Sequence, residues 1–123
     1  MEICKTTGRD CGHCMPGLCE NRQTVISKDE RKGILKAAIE WYGLGSQVDM
    51  TIEEMAELTQ ALCKFKRDCG GKVLGNILEE MADVQIMLDQ MRLIYGQTAE
   101  IETAKLARLQ RRVIDAQESQ SAD

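Results

Sequence analysis

Residues 52–84 read IEEMAELTQALCKFKRDCGGKVLGNILEEMADV, and this stretch decides the fold. It holds two acidic clusters of one form, Glu53-Glu54-Met55-Ala56-Glu57 and Glu79-Glu80-Met81-Ala82-Asp83, each set in an apolar helical pattern. Residues three apart share a helix face, so Glu54 points with Glu57 and Glu80 with Asp83. The midpoint between the clusters falls at Asp68-Cys69, beside Gly70-Gly71, the clearest turn signal in this half of the chain. Two antiparallel helices joined there bring the pairs to the same height. Four converging carboxylates repel one another unless a cation lies among them. Oxygen-only ligation suits a hard ion, Mg²⁺ or Mn²⁺.

The helical period continues on both sides. Val48, Ile52, Met55, Leu58, Leu62 and Phe65 recur at steps of three and four, as do Leu74, Ile77, Leu78, Met81, Val84, Leu88 and Met91. Upstream, Ser27 and Glu30 have capping-box spacing and start a helix that runs to Tyr42, where Gly43-Leu44-Gly45-Ser46 breaks it. Downstream, Gly96 ends the third helix and Thr98 caps a fourth, which uses Ile101, Leu106, Leu109 and Val113 before a polar tail from Gln117. Four helices with short connections predict an all-α antiparallel four-helix bundle. The divisions expected are a Cys-rich head over 1–26, a helical domain over 27–118 and a polar tail over 119–123.

Composition bounds the rest. At 123 residues the chain is one domain's worth, with 3% aromatics, seven Met and a single Pro, which fits an aliphatic, Met-rich helical core. A formal net charge of −4 argues against bulk electrostatic binding to nucleic acid. No run is long and apolar enough to span a membrane, and the N-terminus lacks the apolar core of a signal peptide, so a cytoplasmic protein is expected. There, six Cys read as thiols or metal ligands rather than disulfides. Cys4, the Cys11-Gly12-His13-Cys14 turn and Cys19 offer a four-thiolate Zn²⁺ site in which His13 can replace one sulfur. The alternative is a disordered or reactive thiol segment. Cys63 and Cys69 read as a packed thiol and a turn thiol.

The pattern Glu-Glu-x-x-Glu, a gap over residues 58–78, then Glu-Glu-x-x-Asp resembles the MazG-like, all-α nucleoside triphosphate pyrophosphohydrolases. The resemblance runs from about Ile34 to Arg112, and Asp49-Met50-Thr51-Ile52-Glu53-Glu54 leading into Leu62-Cys63-Lys64-Phe65-Lys66-Arg67 is similar to the short phage- and prophage-type members. It implies Mg²⁺-dependent hydrolysis of a (deoxy)nucleoside triphosphate to the monophosphate and pyrophosphate, in a nucleotide-pool housecleaning role. It also implies metal ligation by Glu54, Glu57, Glu80 and Asp83, with Glu53, or Glu57 in a shared role, orienting or deprotonating the attacking water. The fourth helix of that family often carries a Lys, then Asn four residues on, then a basic residue. Lys105 fits, but Leu109 stands in the Asn position, with Arg108 and Arg112 flanking it. Lys105, Arg108 and Arg112 are the expected phosphate contacts, the alternative being a solvated helix end.

Trp41 sits on an amphipathic helix and reads as a core residue, or alternatively as a stacking platform for a nucleobase. Val73, Leu74, Leu78, Ile86 and Met87 widen the third helix's apolar surface beyond one stripe, and with the resemblance this implies a homo-oligomer, a dimer or tetramer. Two rival functions stand beside the main one: a non-enzymatic, zinc-bearing helical interaction module whose acids are a partner surface, and a phosphoribosyl-ATP pyrophosphohydrolase.

Overall fold

The computed structural model describes the backbone of residues 2–4 and 22–24, and residues 25–122 with their side chains. The fold is all-α and of the four-helix class: α1 Lys28–Tyr42, α2 Leu44–Arg67, α3 Gly71–Tyr95 and α4 Ala99–Ser121. A short antiparallel ribbon precedes them, with β1 Glu2–Cys4 paired to β2 Arg22–Thr24 in the register Ile3 opposite Gln23. The chain divides into two compact units, residues 1–41 and 42–123. Of the Cys-rich head, Cys11, His13, Cys14 and Cys19, expected to hold Zn²⁺, lie outside the described residues, and Cys4 is described by backbone alone. No described helix is long and apolar enough to cross a membrane.

In the first unit, α1 starts as its sequence predicts. The Ser27 N–H donates to Glu30 Oε2 at 2.9 Å and the Glu30 N–H donates to Ser27 Oγ at 3.1 Å, a reciprocal capping box. Leu35 is the buried residue of this helix, and Trp41, expected in the core, is 84% exposed.

In the second unit, α2 begins directly after Gly43. That glycine has φ 92° and ψ 150°, a region open essentially to glycine, so one residue makes the break while Gly45 and Ser46 are helical. The three residues Asp68, Cys69 and Gly70 turn the chain, and α3 runs back antiparallel along α2. The buried residues of α2 are Gln47, Thr51 and Ala61, and those of α3 are Ile77, Met87 and Gln90. The fully buried positions on the α2 side are therefore polar or small, with Val48, Leu58 and Phe65 half-buried. Ile52, Met55 and Leu62, expected in the core, are exposed, because the helix face turned to α3 is the one bearing Gln47, Thr51, Glu54 and Ala61. Cys63, expected to be packed, is exposed for the same reason. Gln47 Nε2 donates to Gln90 Oε1 at 2.6 Å within this seam.

At the far end Gly96, with φ 129°, ends α3, and its N–H donates to the Arg92 carbonyl at 3.0 Å. Thr98 stands at the N-cap of α4 but makes no capping hydrogen bond. Its hydroxyl instead accepts from Arg92 Nε at 3.0 Å and donates to Glu102 Oε2 at 2.6 Å, while Arg92 also holds Asp89 at 2.8 Å. The helix α4 buries none of its residues and continues to Ser121, past the point where a polar tail was expected.

Candidate metal centre

The carboxylates converge because the α2–α3 turn lies midway between the two clusters. Gln47 and Gln90 are hydrogen-bonded across the seam. Glu54 lies two helical turns inward from Gln47, and Asp83 two turns inward from Gln90. The next inward step on each helix reaches Glu57 and Glu80. One register therefore places the acids of α2 against those of α3.

Carboxylate oxygens of Glu54, Glu57 and Glu80 all lie within 4.8 Å of one another. Glu54 and Glu80 are half-buried and Glu57 is exposed. One oxygen of each half-buried residue, Glu54 Oε2 and Glu80 Oε2, is fully withdrawn from solvent and has no hydrogen-bond partner among the described residues. A buried acceptor without a donor costs stability unless something else satisfies it.

The electrostatics agree with the geometry. Desolvation pushes the Glu54 carboxyl above its ordinary value, with Asp83, Glu57 and Glu80 adding to the rise. Desolvation likewise raises Glu80, followed by the charges of Glu57 and Asp83. The oxygen donor set, the mutual repulsion and the two orphaned oxygens fit a hard divalent cation. Three of the four expected ligands thus come together. Asp83 is exposed and lies outside the group of three, though close enough for its charge to act on both buried acids. Glu53 is exposed on the neighbouring face.

The remaining expected residues lie elsewhere. Lys105, Arg108 and Arg112 share one face of α4, where with Glu102, Leu106 and Leu109 they line a groove of about 390 Å³. They are brought to one another, but no described hydrogen bond or ion pair joins them to the acids. Trp41, at the end of α1, is exposed and so available for stacking rather than packed.

Sequence reasoning missed a second cleft. Lys64, Lys72, Val73, Gly75, Asn76 and Glu79 line a space of about 530 Å³ between the end of α2 and the start of α3. Its signal was the spacing Lys72, Asn76, Glu80, four residues apart along one face of α3.

Compared with known proteins, the chain matches no family model, no curated protein and no solved structure.

Proposed function

We propose that the α2–α3 carboxylate centre makes this protein a metal-dependent nucleoside triphosphate pyrophosphohydrolase, which releases a nucleoside monophosphate and pyrophosphate. The observation that carries the reading is the meeting of Glu54, Glu57 and Glu80 within 4.8 Å, with two of their oxygens buried and unsatisfied. A fold gains nothing from crowding acids in a seam that apolar residues could fill, and ionisable groups perturbed by burial and like charge mark functional sites. The acid pattern of the sequence supports the same chemistry.

Glu54, Glu57 and Glu80 would hold Mg²⁺ or Mn²⁺, with Asp83 as a further ligand. When bound, the ion offsets charge on the triphosphate and lowers the pKa of a coordinated water. The half-buried position of Glu54 and Glu80 keeps competing water from their inner oxygens. Glu53 and Glu57, both exposed, face solvent from which a water can be drawn. One of them takes the water proton as the water oxygen bonds to the α-phosphorus. The bond from that phosphorus to the bridging oxygen breaks, and pyrophosphate leaves with the electron pair. The basic face of α4 is proposed for phosphate contact. The setting proposed is cytoplasmic, with the protein as a homo-oligomer.

The test is a panel of nucleoside triphosphates, with phosphoribosyl-ATP included, incubated with the protein and Mg²⁺ while pyrophosphate and monophosphate are quantified. Stoichiometric release of both, abolished by chelation, is expected. Release of orthophosphate instead would overturn the pyrophosphohydrolase assignment, and no release across the panel would sink the enzymatic reading and favour the interaction module.

A further inference from the structure

We infer that the cleft of Lys64, Lys72 and Asn76 binds the β- and γ-phosphates of the substrate, and later the pyrophosphate product, so that the polyphosphate tail lies along the α2–α3 seam towards the Asp68–Gly70 turn. This rests on the pyrophosphohydrolase reading of the carboxylate centre.

Three observations converge. The first is continuity. Lys72, Asn76 and Glu80 lie on one stripe of α3, and with ~1.5 Å of rise per residue Asn76 is ~6 Å and Lys72 ~12 Å along the axis from Glu80. Lys64 follows Glu57 two turns along the facing stripe of α2. Glu79, which also lines the cleft, marks where it meets the acids.

The second is direction. The seam itself is filled on both sides of the acids, by Thr51, Met87 and Gln90 on one side and by Ala61 and Ile77 on the turn side. Beside it on the turn side lies a cleft of about 530 Å³. A chain of phosphates that starts at the exposed Glu57 edge of the carboxylates therefore has room beside the seam, on the turn side.

The third is charge that the fold does not call for. Lys64, Lys66 and Arg67 close α2, where the helix dipole favours cations. Lys72 has no such reason: it stands in the first turn of α3, where the dipole disfavours a cation. That turn carries no acidic residue, and its N-cap, Gly70, has no side chain to cap the free N–H groups. Neither Lys64 nor Lys72 makes an ion pair with a described residue. Two lysines and an amide side chain around one cleft are the chemistry that holds a polyphosphate.

The experiment is calorimetric titration of inorganic pyrophosphate into the full-length protein with Mg²⁺ present, for the wild type, Lys64→Gln, Lys72→Gln and Lys72→Arg. A nucleoside monophosphate is titrated in parallel. Each Gln substitution should weaken pyrophosphate about tenfold, more at low salt, while Lys72→Arg retains most of the affinity. The monophosphate, which lacks the tail, should bind all four proteins alike. Absence of pyrophosphate binding by the wild type would overturn the inference. So would unchanged pyrophosphate affinity in both Gln variants, or an equal loss of monophosphate affinity. Because binding needs no turnover, a protein that hydrolyses no nucleotide yet loses pyrophosphate through Lys64→Gln and Lys72→Gln keeps the cleft and discards the enzymatic reading.

Discussion

Glu54 and Glu80 each carry one oxygen shut off from water and unmatched by a donor, so the residues that would do the chemistry are also those that strain the fold. Replacing Glu54, Glu57 or Glu80 singly with Gln, or Asp83 with Asn, keeps the shape and removes a charge. Mg²⁺-dependent pyrophosphate release should fall by about a hundredfold or more. The helical circular dichroism should persist, and the metal-free thermal midpoint should hold or rise for Glu54→Gln and Glu80→Gln as repulsion is relieved. Near-wild-type turnover in two of the four would remove the assignment. Acidity gives an independent check. Both half-buried carboxyls are pushed above the unfolded value, so the folded state binds their protons more tightly. Their contribution to stability is full below the ordinary carboxylate range and is lost as pH climbs through the raised values. Melting curves in chelator should therefore show a midpoint that drops over that interval, less steeply in Glu54→Gln, and Mg²⁺ should oppose the drop. A chelated wild type whose pH profile matches that of Glu54→Gln would contradict this. At this scale the acids were legible from their symmetric distance to a Gly-Gly turn. The orphaned oxygens were not, because burial of single atoms depends on how deep the seam is. The positions of Trp41 and Cys63 were misjudged, since residue type sets a preference for burial but tertiary packing decides it.

Among the elements, the helices were readable from period and caps, and the capping box of Ser27 and Glu30 appears as the spacing predicts. Which face of α2 meets α3 was readable only in part, since Val48, Leu58 and Phe65 are half-buried as expected. The usual inference turns the apolar stripe inward, whereas here Gln47, Thr51, Glu54 and Ala61 line the seam and Ile52, Met55 and Leu62 are left outside. A seam without much apolar area needs something specific to set its register, and the buried Gln47–Gln90 hydrogen bond of 2.6 Å is placed to do so. Gln90→Ala leaves the Gln47 amide buried without its partner and should cost about 1–3 kcal/mol in urea unfolding. Replacing both glutamines with Leu removes the unmatched groups and should recover much of that loss, yet weaken Mg²⁺-induced stabilisation as the register loosens. A cost below about 0.5 kcal/mol for Gln90→Ala would show that the pair does not hold the seam. The end of α4 was misplaced because polar residues such as Gln and Glu continue a helix as readily as they end one.

For the whole molecule, the count of apolar side chains is informative. Among the described residues twenty large hydrophobic side chains are exposed, against four hydrophobic residues in the core. They include Leu74, Leu78 and Met81 on α3 and Ile101, Leu106 and Leu109 on α4. Exposed apolar surface on this scale calls for a partner, and a second copy of the chain is the one proposed here. Light scattering should give a mass that is a multiple of the single chain. Leu78→Lys, at a residue 60% exposed, should shift it towards one chain with loss of thermal stability. An unchanged monomeric mass for both proteins would count against self-association. The three-residue link between α2 and α3 has a further consequence, in time rather than in space. Helices adjacent in sequence meet after closing a very short loop, an event on a scale of about microseconds. The acids are therefore brought together early, in a single chain, by a first-order step indifferent to protein concentration. Any covering of the outer apolar faces by another copy is a second-order step. Refolding followed by Mg²⁺ binding should then show a fast phase of constant rate, and refolding followed by stability a slower one that quickens with dilution reversed.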